Sequence, residues 1–139
     1  MKVLIFHENA KLPTKGTEGA GAYDIYMPEA GFTSEHTATR VALGFAAQVP
    51  EGYVAMIFPR SGIGAKHGLE LNNTCGIIDS DYRGEWIASL KTKNYPGYGW
   101  AAGDRILQYV LVPVLDSPPE RVLTLTPTRR GTGGFGSTG

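Results

Sequence analysis

Apolar residues in this chain come in short runs broken by glycine, proline, asparagine and aspartate, and hardly any stretch is long and Gly/Pro-free enough for three turns of amphipathic helix. That texture predicts an all-β chain, a barrel or sandwich of short strands. Strands are expected over residues 3–7, 23–27, 40–49, 53–58, 85–93 and 105–115. In the fifth, Trp86, Ala88 and Leu90 alternate with Ile87, Ser89 and Lys91, the period of a pleated strand with unlike faces. The run "GIIDSDYRGEW" over residues 76–86 reads as a hairpin whose turn holds residues 79–84. Further on, Pro118, Pro119 and Pro127 break any continuous central strand, so the chain is expected to leave the body as an arm. The expected architecture is a compact β-barrel or jelly-roll-like body over residues 1–128 with a flexible glycine-rich C-terminal arm over 129–139.

A length of 139 residues suits one domain with a single core. Thirteen basic residues balance thirteen acidic ones, so no overall field draws the molecule to a nucleic-acid backbone or an anionic membrane. Any anion must be met by local groups. Cys75 is the lone cysteine and cannot form an internal disulfide, and neither a signal-peptide pattern nor a long apolar run is present. A soluble, intracellular, cytoplasmic protein is expected. His7, His36 and His67 are scattered and no local motif pairs them with Cys75, which reads as a buried structural thiol.

Four segments carry candidate chemistry. In "RRGTGGFGSTG", residues 129–139, Gly131, Gly133 and Gly136 have dinucleotide-fingerprint spacing without the strand before and helix after that the fingerprint needs, and the Lys of a phosphate-cradling P-loop is missing. Phe135 and the Arg129-Arg130 pair nevertheless give this stretch an aromatic ring and two guanidiniums, which a mere linker does not need. "FPRSGIGAKHGL", residues 58–69, sets Arg60, Ser61 and Gly62 past a strand end, where guanidinium, hydroxyl and main-chain N–H can meet one oxyanion. The same tripeptide is commonly just a turn. In "GIIDSDYRG", Asp79 follows Ile77-Ile78, a position from which a carboxylate can face a partly dry pocket, although carboxylates in turns are mostly turn-formers. Gln108 of "GDRILQYV" lies inside an apolar strand and needs a partner for its amide.

In order, "EGAGAYDIY", "PRSGIGAKHGL", "GIIDSDYRGE", "GDRILQ" and "RGTGGFGSTG" resemble the five motifs of the homotrimeric deoxyuridine triphosphatases, over residues 2–139. The resemblance implies Mg²⁺-dependent hydrolysis of dUTP to dUMP and pyrophosphate, which keeps uracil out of DNA and supplies dUMP for thymidylate synthesis. It implies that Asp79 is the base for a water attacking in line at the α-phosphorus. Arg60, Ser61, Gly62 and Gln108 match phosphate contacts, and Tyr82 matches the tyrosine that stacks on the deoxyribose. Asn73 and the main chain at Ile77, Ile78 and Ile87 match the uracil reader. Asp24 matches a water-mediated anchor for Mg²⁺, an ion held chiefly by the triphosphate. Arg130, Phe135, Gly136 and Ser137 fall in the family's lid, which lies over another subunit's site in a homotrimer with shared active sites. One departure is visible: the family usually reads Ala-Gly-Tyr-Asp in the first motif, whereas Gly21-Ala22-Tyr23-Asp24 stands here, so a positive φ at the second position would strain Ala22. The nearest enzymatic rival is dCTP deaminase, which shares the body and lacks this tail. From another class, a dUTP-dependent regulatory module is the alternative.

Overall fold

A computed structural model describes residues 1–136; residues 137–139, Ser137 among them, lie outside the described part. The strands are β1 (Lys2–Ile5), β2 (Tyr23–Tyr26), β3 (Gly31–Ser34), β4 (Thr39–Ala42), β5 (Phe45–Gln48), β6 (Tyr53–Pro59), β7 (Leu69–Leu71), β8 (Gly76–Ile78), β9 (Ile87–Thr92), β10 (Gly97–Trp100) and β11 (Arg105–Pro113), with a short helix α1 (Ser61–His67). They form four antiparallel sheets, ordered β2-β11-β6-β8, β4-β9-β7, β1-β5 and β10-β3. No closed barrel results. The sheets share one core in a jelly-roll-like body: Ile25, Ile57 and Leu107 from the first sheet meet Leu71 and Leu90 from the second, Phe45 from the third and Trp100 from the fourth. Trp86 lies at the centre, tilted against Phe45 at 5.0 Å and edge-on to Tyr109 at 5.3 Å.

The alternation read along the fifth strand holds, since Ala88, Leu90 and Thr92 are buried while Ile87 is exposed. Two expectations need correction. The single strand over 40–49 is two, because Gly44 turns the chain with a φ of +77°, where any Cβ would come within 2.7 Å of the Ala10 Cβ. Val41 then pairs with Ala88, whereas Phe45 pairs with Ile5 in another sheet. The hairpin over 76–86 is not formed either: β8 pairs with β6, and β9 pairs with β4 and β7. Residues 79–86 cross from one sheet to another and do not close a turn between neighbours. The expected strain at Ala22 is also absent, because the non-glycine residues with positive φ are Thr74 and Phe135 among those described.

From Pro113 onward every described residue except Gly133 is exposed, so no change in burial marks the expected boundary at 128/129. Val114 donates its N–H to Gly52 at 2.9 Å. Later hydrogen bonds among the described residues are local to the arm, as where Arg130 Nε donates to Gly133 O at 2.9 Å. No helix among the described residues is long and apolar enough to cross a membrane.

Candidate functional site

Three of the expected residues converge at one end of the four-stranded sheet. Gln108 on β11 stands opposite both Asp24 on β2 and Phe58 on β6, and Arg60 follows directly from the end of β6. Asp24 is 5% exposed, and its carboxylate is shared: Arg60 Nε lies 3.0 Å from Oδ1 and Arg105 Nη1 lies 3.2 Å from Oδ2. Arg60 Nη1 also donates to the main-chain oxygen of Arg105 at 3.1 Å. Gln108 Nε2 finds the carbonyl of Pro59 at 3.4 Å, which supplies the partner that its place in an apolar strand demands. Two guanidiniums share this one carboxylate and face a cavity of about 420 Å³ lined by Arg60, Ile63, Tyr98, Asp104 and Arg105, in which the second carboxylate, Asp104, accepts the Ala101 N–H at 2.8 Å. Such a cluster can receive an anion through charge-assisted hydrogen bonds. Arg105 belongs to it, yet reading the segment "GDRILQ" for its amide passes over it; its place directly before the buried pair Ile106-Leu107 is the signal that could have found it.

Ser61 and Gly62 open α1 beside this cluster, and both are exposed. A Cβ on Gly62 would meet nothing within 4 Å, so no part of its own chain requires a glycine there.

The third-motif residues occupy a different place. Ile78 lies opposite Ala55 on β6, five residues before Arg60, which at ~3.3 Å per residue puts Asp79, one residue further on, at least about 17 Å from the guanidinium cluster along the sheet. Asp79 is exposed, so the partly dry pocket expected around it is not formed within one chain. Tyr82, 42% exposed, is braced by its hydroxyl, which donates to the Glu85 carbonyl at 3.0 Å. Gly84 makes room for that ring, since a Cβ there would collide with the Tyr82 hydroxyl. β8 is an edge strand with only β6 beside it, and Ile87 is paired only to Ala42, so main-chain groups of Ile77, Ile78 and Ile87 remain on open edges. Just before β8, Asn73 Nδ2 donates to Cys75 O at 2.9 Å and Cys75 N–H to Asn73 O at 2.7 Å, closing a tight turn with Thr74 at a φ of +69°. Cys75 is half-buried rather than buried, and burial raises its thiol pKa. Arg130, Phe135 and Gly136 lie on the exposed arm, with Phe135 fully open to solvent.

Among the described residues no group of three or more His, Cys, Asp or Glu side chains comes together to hold a metal ion. The one carboxylate of the guanidinium cluster is Asp24. This donor set does not cage a bare ion. It fits one that arrives on an anionic ligand and keeps its own water.

The body is thus of an all-β class with an anion-receiving cluster at a sheet end. Its sequence matches the model of the dUTPase family over residues 8–139. A deoxyuridine 5'-triphosphate nucleotidohydrolase of Yarrowia lipolytica is 38% identical over 141 residues, covering 100% of this chain and 88% of the relative. One from Paramecium bursaria Chlorella virus 1 is 41% identical over 132 residues, covering 95% and 92%. Among solved structures, the dUTPase of Staphylococcus bacteriophage 80alpha with dUPNHPP superposes with a TM-score of 0.87 at 24% identity, over 99% of this chain and 97% of that one. A dUTPase variant from phage phi11 of S. aureus, described with a structural Mg(II) ion, gives a TM-score of 0.79 at 23% identity, over 88% and 96%. This chain belongs to the dUTPase family.

Proposed function

We propose that this chain hydrolyses dUTP to dUMP and pyrophosphate, as the names of its relatives state for them, at a site assembled between copies of itself. The observation that carries the assembly is the separation along β6. A base acting through one water must sit within hydrogen-bond reach of the attacked phosphorus, whereas Asp79 and the Arg60 cluster of one chain are at least about 17 Å apart. A second copy brings Asp79 to the cluster, and a homotrimer with three shared sites is the assembly that the motif resemblance supports. Burial against the neighbour would also supply the dry setting that Asp79 lacks alone.

In this reading Arg60, Ser61, Gly62 and Gln108 hold the phosphate chain and stabilise charge moving onto the departing pyrophosphate. Uracil enters between the open edges at Ile77, Ile78 and Ile87, where fixed main-chain donors and acceptors tell its O4 from the amino group of cytosine, with Asn73 adding a side-chain amide. Tyr82 covers the deoxyribose face. Mg²⁺, when bound, neutralises phosphate oxygens. Asp24 keeps lone pairs beyond the two its arginines use, and with them would accept a hydrogen bond from a water of the ion, anchoring it indirectly. The arm closes as a lid, Arg130 on the phosphates, Phe135 over the base and Gly136 allowing close main-chain approach, with Ser137 in the undescribed part. Cys75 as a free thiol suits a reducing cytoplasm.

Pyrophosphate release measured in parallel from dUTP, dCTP, dTTP and UTP, with and without Mg²⁺, tests the reading. Release confined to dUTP and dependent on the metal is expected; equal rates on all four would end it.

A further inference from the structure

We infer that Arg105 is a positioning residue for the phosphate site: by occupying the second oxygen of Asp24, it keeps that carboxylate from closing on Arg60 and leaves an edge of the Arg60 guanidinium free for phosphate. The inference rests on the dUTP reading above and adds to it a residue that it does not use. A guanidinium and a carboxylate prefer the two-bond fork, in which neighbouring N–H groups meet both oxygens. Here the fork is prevented. Asp24 Oδ1 meets Arg60 Nε at 3.0 Å, while Oδ2 is held by Arg105 Nη1 at 3.2 Å. The main-chain oxygen of Arg105 takes Arg60 Nη1 at 3.1 Å, so residue 105 pins Arg60 from both sides. Arg60 Nη2 has no protein partner among the described residues.

Arg105 is itself steadied. Its guanidinium lies over the Tyr26 ring at 5.9 Å, and the Tyr26 hydroxyl is bonded to Thr14 Oγ1 at 2.7 Å. Asp24 is anchored in turn by main-chain bonds with Thr14, at 2.7 and 3.2 Å. The main chain that carries the carboxylate is therefore held in place. Without Arg105, Oδ2 of Asp24 is nearly buried and unpaired, and the nearest remaining cationic N–H groups are those of Arg60.

The test is calorimetric titration of an imido analogue of dUTP in EDTA, so that no metal links Asp24 to the ligand. Arg105→Gln is expected to weaken binding about 10- to 100-fold in the native background, the scale of one charge-assisted hydrogen bond. In an Asp24→Asn background, where no carboxylate is left to capture Arg60, the same change should cost no more than about threefold. Arg105→Lys keeps a cation on Oδ2 and should recover most of the loss seen with Gln. Equal losses in both backgrounds would show that Arg105 acts on the ligand directly or only on the fold, and would overturn the inference. Should Arg105→Gln alone fail to fold, the double variant carries the test and must bind within about threefold of Asp24→Asn. A native protein that binds no analogue either in EDTA or with Mg²⁺ restored sinks the dUTP reading and this inference together; where binding needs Mg²⁺ the same comparisons are made in its presence, and native binding with equal losses sinks this inference alone.

Discussion

Two disabled variants of a divided site should repair one another. Arg60→Gln removes the cation at one end of β6 and Asp79→Asn removes the proposed base beyond the other, positions at least about 17 Å apart on one chain. Alone, Asp79→Asn should retain at most about one part in 10² of the native turnover, and Arg60→Gln about one part in 10 or less from the lost charge-assisted bond. In a ring of randomly mixed chains at equal amounts, a site draws its Arg60 and its Asp79 from different neighbours. About one site in four, a half times a half, then receives both native groups. The whole mixture should reach about a quarter of the native rate, and trimers holding both kinds of chain, in which one site of three is complete, about a third, at least about sixfold above the average of their parents. The assay is pyrophosphate release after co-refolding two differently tagged variants, with trimers carrying both tags isolated first. If those mixed trimers work no faster than the average of the two parents, Arg60 and Asp79 serve the same site from the same chain, and the reasoning from the sheet register is wrong.

Asp79→Asn by itself should bind the imido analogue nearly as well as the native protein while kcat falls at least about 10²-fold; a near-native kcat would take Asp79 out of the base's role. Gly84→Ala should displace the Tyr82 ring and raise UTP hydrolysis relative to dUTP by up to about 10²-fold, with Tm almost unchanged because Gly84 has no positive φ. An unchanged ratio of kcat/KM would separate that ring from sugar choice. Glu70 lies 2.9 Å from Lys93 Nζ and 3.2 Å from Lys91 Nζ, and the Lys93 hydrogen bond above all holds its pKa below the usual value against the opposing effect of burial. A folded pKa below the unfolded one stabilises above the ordinary carboxylate range and is lost as pH falls through the lowered value. Glu70→Gln should therefore reduce stability by about 1 kcal/mol or less at pH 7, and thermal melts should show the gap closing in acid; a gap that persists there would refute the assignment. Phe135→Ala should lower kcat/KM about 5- to 150-fold if the ring stacks on uracil, with an unaltered melt; no loss would leave the arm without a part in base recognition.

Composition and periodicity revealed the all-β class, and the strands that the pattern found are those whose side chains alternate or run apolar, such as β6, β9 and β11. What it missed has a common physical cause. β3 and β10 pair through "GFTS" and "GYGW", where glycine has no side chain to mark a face, and Gly31 is needed because any Cβ there would run into the Trp100 ring. Helix α1 hides behind Gly62 and Gly64 for the same reason and ends on Gly68 at a φ of +62°. The hairpin over 76–86 failed because turn residues announce that the chain reverses, not which strand it pairs with afterwards. Site legibility followed the same line. Motif order pointed to Asp24, Arg60 and Gln108, and the sheet brings these three together; Arg105 stood unmarked inside one of those motifs because a surface-looking arginine at a strand start carries no pattern of its own.

The placement of Asp79 and Arg60 at opposite ends of β6 has a consequence for dose. When a site needs groups from different chains, a folded chain is silent until it meets others, and output follows the population of assembled rings and not the number of chains made. Below the concentration at which the ring holds together, halving the chain supply would cost far more than half the activity. Specific activity that falls steeply on serial dilution, and that returns on reconcentration, would be the signature.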